Sequence, residues 1–516
     1  RMVFLLYNID ALFCMYYTVT TRNAQAKEEI FMISFTKEFL RDRIFACWIG
    51  KNIGGTLGTP YEGKRELLDI DGFASKAGEP LPNDDLDLQL AWLRAVDELG
   101  PQNINSKTLG EYWISYVNPN WNEYGVCKAN MRDGILPPMS GEVNNEEWKH
   151  SNGAWIRTEV WACLYPALVE KAIRYAYEHA GVDHGFGEGT YAAIFVAAME
   201  SAAFAIHDAR SLLDIGLSKI PEDCRVARSV RLVIDAYDKK TPWRETRQML
   251  VKDSEDLGWF QAPANVGFVT LGLLYGEGDF KRSLILAVDC GDDTDCTGAT
   301  LGALLGIMNG MAGIPEDWRA YIGDGIKSIC LTNGHGPFPQ DCTQLTECIL
   351  NLLPTTLRPS NMKLLFGKPE VALAEETDVS EASVERFAGR EFVESFAARK
   401  PYSYTVEGIY ADALVEFDEK PVIRAQGTLS GSISLRQHTL PEQKHYRLRF
   451  LAPEGWSVEC AKNLFTPAPH SKHMQHAKAA FVITAGEHVE AMNRLVVEIV
   501  CPGRPTPILV PLTILG

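Results

Sequence analysis

The pattern of apolar and polar positions divides the chain into a helical part and a strand-rich part. From residue 35 to about residue 354, apolar side chains recur at helical spacing. Residues 190–207 are apolar on nearly every face, which predicts a helix at the centre of a bundle and is not typical of a membrane span. Further helices are predicted at residues 88–99 and from residue 155 toward residue 179.

A stripe of glycines marks the helix predicted after residue 293. Gly298, Gly302, Gly306 and Gly310 recur at a spacing of four. Small residues in such a stripe let a second helix approach closely. We therefore expect tight packing that fixes the start of this helix.

The composition shifts toward Glu, Ala and Ser after residue 365, which indicates a linker with one helix at residues 379–398. Beyond it, alternating or β-branched segments separated by Pro and Gly predict strands at residues 405–409, 414–417, 427–436, 446–451, 479–484 and 494–500. Their spacing suggests a β-sandwich of about a hundred residues, immunoglobulin-like in general shape. The predicted fold class is mainly α: an all-helical bundle followed by a smaller C-terminal β-sandwich. The predicted boundaries are 1–34 for an N-terminal extension, 35–365 for the helical domain, 366–400 for the linker and 401–516 for the β-sandwich.

Length and charge limit the classes of function. A chain of 516 residues is long enough for about two or three domains and a large core. Its net charge of -17 argues against nucleic acid and an anionic membrane as partners, because both bind basic surfaces. The twelve Cys are scattered without a C-x-x-C pair, which favours reduced thiols over a zinc ribbon or a disulfide framework.

The first thirty residues differ from the rest of the chain. Residues 2–19 are apolar but interrupted by Asn8 and Asp10, and Ala24-Gln25-Ala26 resembles a cleavage site, so the segment has features of a poor signal peptide. We favour a non-native extension ahead of Met32 and a cytoplasmic protein.

Two clusters of carboxylates precede predicted helices. Asp292, Asp293 and Asp295 occupy three of four positions before the glycine-striped helix, and Asn83-Asp84-Asp85-Leu86-Asp87 opens the helix that continues to residue 99. Carboxylates this close raise one another's pKa, whereas a hard divalent ion neutralises them through oxygen ligands. An Asp at a helix start is ordinarily an N-cap, but one cap explains only one carboxylate per helix. The two clusters therefore suggest two halves of one metal site.

Five short motifs occur in a fixed order around these clusters. They are Gly54-Gly55-Thr56-Leu57-Gly58-Thr59-Pro60-Tyr61-Glu62, Asn83-Asp84-Asp85-Leu86, Ser151-Asn152-Gly153-Ala154-Trp155-Ile156-Arg157, Asp183-His184 and Gly291-Asp292-Asp293-Thr294-Asp295-Cys296. In their order and spacing, over roughly residues 40–355, the chain resembles the ADP-ribosylglycohydrolases.

The resemblance implies an all-helical bundle that holds one or two Mg²⁺ ions, with Mn²⁺ as an alternative, and ADP-ribose laid across them. The metal ligands that it implies are Asn83, Asp84, Asp85, Asp293 and Asp295. It also places Glu62 where some relatives have a catalytic glutamate beside the metals.

Three positions depart from the family pattern. Asn83 replaces a Thr and still offers an oxygen, whereas Gly55 replaces an Asp. Cys296 replaces a Thr, and a thiol is a poor ligand for a hard ion. Thr297 offers a hydroxyl but is expected on another face of the helix.

Hydrolysis at the anomeric carbon of ribose needs a base. The reaction passes through an oxocarbenium-like state, in which metal ions orient hydroxyls and lower the pKa of a bound water. Either Glu62 or Asp85 is a candidate for the carboxylate that takes the proton. Without the family pattern, Glu62 after Thr59-Pro60-Tyr61 has the ordinary reading of a turn residue.

A small-residue loop and a histidine are the candidates for binding the substrate. Ser151, Asn152 and Gly153 open the helix predicted from residue 155, and a helix start is an anion site that suits a diphosphate. The commoner meaning of Ser-Asn-Gly is a cap and turn. His184 is a candidate phosphate contact only through the resemblance. A further set, His470, His473 and His476, lacks Cys or carboxylate partners and is read as a solvated loop.

The favoured function is a metal-dependent hydrolase that cleaves the glycosidic bond between ADP-ribose, or a related ribosyl group, and a protein or small-molecule acceptor. The expected partners are an ADP-ribosylated protein or a small-molecule ADP-riboside. The alternative is a non-catalytic protein that binds ADP-ribose or a nucleotide sugar, which the departures at Gly55, Leu86 and Cys296 allow. A third hypothesis takes the β-domain as a carbohydrate-binding module of a glycan-related enzyme.

Overall fold

A computed structural model describes residues 34–331, 338–357, 362–364, 370–373, 387, 389–438, 444–465 and 476–516. The predicted N-terminal extension, apart from its last residue, lies outside the described residues, as do His470 and His473. His476 begins a strand.

Sixteen α-helices are described. In chain order they are α1 Lys37–Gly58, α2 Asp84–Leu99, α3 Ser106–Tyr116, α4 Asn122–Arg132, α5 Glu159–Leu164, α6 Val169–Asp183, α7 Glu188–Ala202, α8 Ala209–Ser218, α9 Arg225–Asp238, α10 Trp243–Asp253, α11 Ala262–Tyr275, α12 Phe280–Asp289, α13 Thr294–Asn309, α14 Glu316–Ile322, α15 Cys342–Leu357 and α16 Glu391–Ala397. All but α16 belong to the helical part, which confirms the predicted fold class there.

The predicted central helix is confirmed as α7, in which all residues but Tyr191 are buried. The single helix predicted from residue 155 toward residue 179 is wrong. The segment instead forms a 3₁₀ turn at Trp155–Arg157, the short α5 and then α6. Pro166, which has no N–H, follows the end of α5, and Ala167 after it adopts a φ of 56°.

The glycine stripe of α13 packs directly against the backbone of α1, as predicted. A Cβ on Gly302 would lie 2.1 Å from the carbonyl oxygen of Gly50, and one on Gly54 would lie 1.9 Å from that of Gly298. At the end of α1, a Cβ on Gly58 would lie 2.1 Å from the carbonyl oxygen of Thr294. The two glycine rows therefore fix the start of α13 against the end of α1.

We expect Gly54→Ala to destabilise the protein by about 1–3 kcal/mol, because the added methyl group overlaps a backbone atom that cannot move alone. Gly72→Ala is the matched control, since its Cβ would meet nothing within 4 Å. Thermal denaturation measures both. An equal melting temperature for the two variants would contradict close backbone packing.

Twelve strands are described. They are β1 Ser34–Thr36, β2 Met362–Leu364, β3 Glu370–Leu373, β4 Ser403–Val406, β5 Ala411–Phe417, β6 Thr428–Gln437, β7 His445–Leu451, β8 Ser457–Cys460, β9 Asn463–Phe465, β10 His476–Thr484, β11 Met492–Val500 and β12 Ile508–Leu515. All six predicted strands appear among them. The prediction missed the other six, which are β1, β2, β3, β8, β9 and β12.

The C-terminal strands form two antiparallel sheets, in the orders β4-β5-β6-β10-β8 and β12-β11-β7-β9. Alternating residues of both sheets, such as Val415 and Val497, share one buried core. The predicted β-sandwich is confirmed. Helical-part residues Ile135 and Met139 join this core, so the two parts of the chain are packed together.

A small third sheet and α16 tie the intervening segment to the helical part. The order of this sheet is β1-β3-β2, with β1 paired to β3 just before α1 begins. Val393 and Phe396 of α16 are buried in the helical core. Among the described residues, no helix is both long enough and apolar enough to span a bilayer.

Candidate metal centre and its pocket

The starts of α2 and α13 meet at a cavity of about 620 Å³. It is lined by Thr59, Glu62, Pro82, Asn83, Asp84, Asn120, Trp121, Asn122, Glu123, Tyr124, Gly153, Ile156, Trp259, Phe260, Asp293, Asp295, Cys296 and Ile329. Seven predicted site residues are in this lining: Glu62, Asn83, Asp84, Gly153, Asp293, Asp295 and, among the departures, Cys296. The sites proposed from distant parts of the sequence therefore share one pocket.

Three of the predicted ligands, Asp85, Asp293 and Asp295, belong to two groups of side chains that could each hold a metal ion. Ligand atoms of Asp85, Asp295 and Cys296 lie within 4.8 Å of one another, and so do those of Glu62, Asp293 and Asp295. Asp295 belongs to both groups. Two adjoining sets of ligands that share one carboxylate have the composition expected of one or two divalent-ion sites.

Neither Asn83 nor Asp293 uses its side chain to cap its helix, although each occupies the N-cap position. Among the described residues, no hydrogen-bond partner is found for the side-chain oxygen and nitrogen of Asn83, both carboxylate oxygens of Asp85 or one carboxylate oxygen of Asp293. Buried polar groups are nearly always paired. Oxygens without partners in this number fit a bound cation better than they fit capping.

Asp84 is less buried than Asp85 and accepts a hydrogen bond of 3.0 Å from the hydroxyl of Tyr124. Asn152 donates to Asp293 from its amide at 2.7 Å, and Asn265 accepts from the Asp293 backbone N–H at 3.1 Å. These contacts orient the candidate ligands, as outer partners do in metal sites.

Burial and mutual repulsion shift the pKa values of the carboxyl groups upward. Burial, with the charge of Glu62, raises the pKa of Asp293 to about 7. Burial, with the charge of Asp293, raises the pKa of Asp295 well above its ordinary value. Glu62 remains exposed as a residue at the pocket mouth, but desolvation of its carboxyl group and the charges of Asp295 and Asp84 raise its pKa to about 8.

These shifts make a pH-dependent response to Mg²⁺ an expected result. A raised carboxyl pKa stabilises the fold below the unfolded value of about 4, and this stabilisation is lost as pH rises through about 7 for Asp293 and about 8 for Glu62. The metal-free protein should therefore melt at lower temperature as pH rises from 5 to about 9. Metal ions compete with these protons, so the Mg²⁺-induced rise in melting temperature should grow over the same interval. A rise that is largest at pH 5 would contradict the metal site.

The sulfur of Cys296 lies in the group with Asp85 and Asp295. Burial raises the pKa of this thiol well above its ordinary value, and nearby Asp293 adds to the shift. A neutral thiol is a weak ligand for a hard ion. Thr297 does not replace it, since its hydroxyl donates to the carbonyl oxygen of Thr294 at 3.1 Å.

The departures at positions 55 and 83 are spatially linked. A Cβ on Gly55 would lie 2.5 Å from the side-chain nitrogen of Asn83. Asn83 therefore occupies the space into which a longer side chain at position 55 would extend. The Gly at position 55 therefore leaves the space that the side chain of Asn83 occupies.

Two carboxylates of the acidic clusters have structural roles. Asp87 accepts hydrogen bonds from the Ser328 hydroxyl at 2.7 Å and from the backbone N–H groups of Ile329 and Cys330 at 2.6 and 2.8 Å. Asp292 adopts a φ of 62°, and its backbone N–H donates to the carbonyl oxygen of Lys64 at 2.9 Å. Its carboxylate forms an ion pair with Arg65, whose Nε lies 3.6 Å away. Neither is in a ligand group among the described residues.

A buried ion pair lies behind the acidic cluster. Lys51 of α1 donates to Glu159 at 2.6 Å, and both side chains are fully buried. Gln89 connects this pair to α2 by donating to Glu159 and to the carbonyl oxygen of Asp85. Burial lowers the pKa of Lys51, but Glu159 and Asp85 outweigh this and raise it. The sequence interpretation missed Lys51, although a charge within the glycine-rich α1 was a usable signal.

The predicted substrate loop is held by its own side chains. Ser151 and His184 form a hydrogen bond of 2.9 Å between hydroxyl and ring nitrogen. The other ring nitrogen of His184 lies 2.9 Å from Asp183, which also accepts from Arg157 at 2.7 Å. Asn152 accepts from the Trp155 indole N–H at 3.0 Å. Only Gly153 of the predicted set reaches the pocket lining.

Glu123 is among the pocket residues that the sequence interpretation missed. It lies in the first turn of α4 and is 1% exposed, and one of its carboxylate oxygens lies 3.9 Å from a ring nitrogen of His184. Among the described residues, neither oxygen has a partner at hydrogen-bonding geometry. Burial, with the charge of Asp183, raises its pKa to about 8. A Cβ on Gly153 would lie 2.2 Å from one of these oxygens, so the carboxyl group rests directly on the loop.

A comparison with protein-family models agrees with the arrangement of the motifs. The family model described as ADP-ribosylglycohydrolase matches residues 36–347. A solved structure described as an ADP-ribosylglycohydrolase-related protein complex is 19% identical, with a TM-score of 0.43, over 62% of this chain and 99% of its own. No curated protein sequence matches the chain.

Proposed function

The chain belongs to the ADP-ribosylglycohydrolase family, and from that premise we propose that it is a metal-dependent hydrolase of a glycosidic bond to ribose or a related sugar. The observation that carries the proposal is the pair of ligand groups that share Asp295 at the base of the pocket. A structural carboxylate cluster would have its oxygens paired within the protein, whereas neither oxygen of Asp85 has a hydrogen-bond partner among the described residues.

Asn83, Asp84, Asp85, Asp293 and Asp295 are the residues that would hold Mg²⁺ or Mn²⁺. When bound there, the metal would orient ribose hydroxyls and lower the pKa of a water. Asn152 and Tyr124 would keep Asp293 and Asp84 aimed at the same point. The number of ions, one or two, depends on whether the weak Cys296 ligand is replaced by water.

Glu62 is the stronger of the two candidates for the base. Asp85 is fully buried and lies outside the pocket lining, whereas Glu62 is exposed at the pocket mouth and faces Asp293 and Asp295. A base must reach both the proton that it takes and the solvent that carries the proton away. We therefore assign proton abstraction to Glu62 and metal binding to Asp85.

Family membership suggests ADP-ribosylated proteins or small-molecule ADP-ribosides as the substrate class. The eleven cysteines that the structure describes are all free, which supports our placing of the reaction in the cytoplasm.

Turnover with and without metal tests the proposal. The protein is treated with a chelator and then incubated with ADP-ribosyl-arginine or 4-nitrophenyl riboside, with and without Mg²⁺ or Mn²⁺. Chromatography should find free ADP-ribose or ribose only when metal is restored. Binding of these compounds without any release of sugar would favour the non-catalytic alternative.

A further inference from the structure

The loop at residues 151–154 lacks the features of an anion site. The long helix that would give it a positive end is replaced by a three-residue 3₁₀ turn. The side chains of Ser151 and His184 bind each other, and that of Asn152 binds Asp293 and Trp155. What this loop presents to the pocket is the backbone of Gly153.

The carboxyl group of Glu123 lies directly against the backbone of Gly153, on the side where a Cβ would extend. One of its oxygens lies 2.2 Å from the position of a Cβ on Gly153, so a phosphate oxygen cannot occupy the same place. Glu123 is 1% exposed, and one of its oxygens lies 3.9 Å from a ring nitrogen of His184. Among the described residues, neither oxygen has a partner at hydrogen-bonding geometry. A donor from a ligand in the pocket would therefore add to the single long contact with His184.

Apart from the proposed metal ions, the described lining of the pocket offers no countercharge to a diphosphate. None of the described residues that line it is Lys, Arg or His. Arg157, the nearest buried guanidinium named above, is bound to Asp183 and stacked over Trp113 at 4.7 Å. Arg157 already supplies a positive charge to Asp183. The group of Glu123, Asp183 and His184 is therefore a network of charged side chains and not a second cation site.

Aromatic side chains form two walls of the pocket. Trp121 is 49% exposed and stacks near Tyr124 at a ring distance of 6.4 Å, while Trp259 contacts Phe260 at 5.2 Å. Aromatic faces together with carboxylate and amide acceptors suit an uncharged sugar, which has apolar C–H faces and hydroxyl donors.

We infer that the protein selects glycosides without a phosphate group in this pocket, with Glu123 accepting hydrogen bonds from the sugar or its aglycone where a diphosphate would otherwise lie. The inference rests on the proposed hydrolysis of a glycosidic bond to ribose or a related sugar. Within that function, it assigns phosphate-free ribosides as the substrate class in place of the ADP-ribosides that family membership suggests. Glu123 is its specificity-determining residue, because its carboxyl group fills the space in either protonation state and repels phosphate when ionised.

A matched pair of substrates tests the inference: 4-nitrophenyl riboside, and the same riboside with adenosine diphosphate on its 5-hydroxyl. The kcat/KM of the full-length protein with Mg²⁺ should be about tenfold or more higher for the phosphate-free compound. Glu123→Ala should reduce that ratio about tenfold or more, mainly through a gain on the diphosphate compound. Glu111→Ala, an exposed carboxylate on α3, is the control and should leave the ratio unchanged.

A wild-type preference for the diphosphate compound, or an unchanged ratio in Glu123→Ala, overturns the inference. If Glu123→Ala does not fold, Glu123→Gln keeps the shape but removes the charge that repels phosphate, so the ratio should shift in the same direction by a smaller factor. If neither compound is hydrolysed, the proposed function fails. In that case, the affinity for ADP-ribose, measured by calorimetry, tests the inference separately. Tighter binding to Glu123→Ala than to wild type supports it, and equal or weaker binding overturns it.

Discussion

Asp295→Asn should reduce metal-dependent turnover by about three orders of magnitude or more and remove the rise in melting temperature that Mg²⁺ causes. Asp295 is expected to have the largest effect of any single ligand, because it belongs to both ligand groups. The substitution keeps the shape and one oxygen but removes the charge that a hard cation requires. Thermal denaturation at several Mg²⁺ concentrations and a turnover assay measure the two effects.

Asp292→Asn is the matched control for this variant. Asp292 is equally close to the start of α13, fully buried and outside both ligand groups. Its φ of 62° is one that Asn tolerates well. Asp292→Asn should keep the Mg²⁺ response, and loss of the response in both variants would mean that the cluster supports the fold and does not bind metal.

Glu62→Gln should lower kcat by about two to four orders of magnitude while the Mg²⁺ response and substrate affinity are largely retained. The amide preserves the size of the side chain but cannot accept a proton. Because Glu62 is exposed at the pocket mouth, its replacement should have little effect on stability. Single-turnover kinetics and thermal denaturation separate these quantities.

Glu66→Gln is the control for the second prediction, since Glu66 is an exposed carboxylate four residues away. It should leave kcat unchanged. A variant Glu62→Gln with normal kcat per folded molecule would remove Glu62 from the mechanism and return the role of base to Asp85.

The sequence was most informative where reactive side chains stood next to a segment with clear helical spacing. The glycine spacing of α13 predicted a close helix contact, and two glycines of its partner row, Gly54 and Gly58, lay within the first motif. The doubled acidic clusters predicted that two distant helix starts meet, and the structure places Asp85, Asp293 and Asp295 together. Their roles as ligands stay predictions until a metal is observed.

Other parts of the site had no signal in a single sequence. Glu123 contacts Gly153 across a separation of thirty residues, and the loop that follows α4 has no periodicity to indicate that approach. The helix predicted from residue 155 failed because an apolar run carried across Pro166 was read as one element. The anion site that depended on that helix has no structural basis without it.

Anomalous diffraction from crystals grown with Mn²⁺ tests the central claim most directly. The account predicts one or two anomalous peaks, each within about 2.4 Å of carboxylate oxygens of Asp295 and of either Asp85 or Asp293, and their loss in crystals of Asp295→Asn. A peak confined to the Glu123, Asp183 and His184 group, or no peak between α2 and α13 at saturating Mn²⁺, would contradict it.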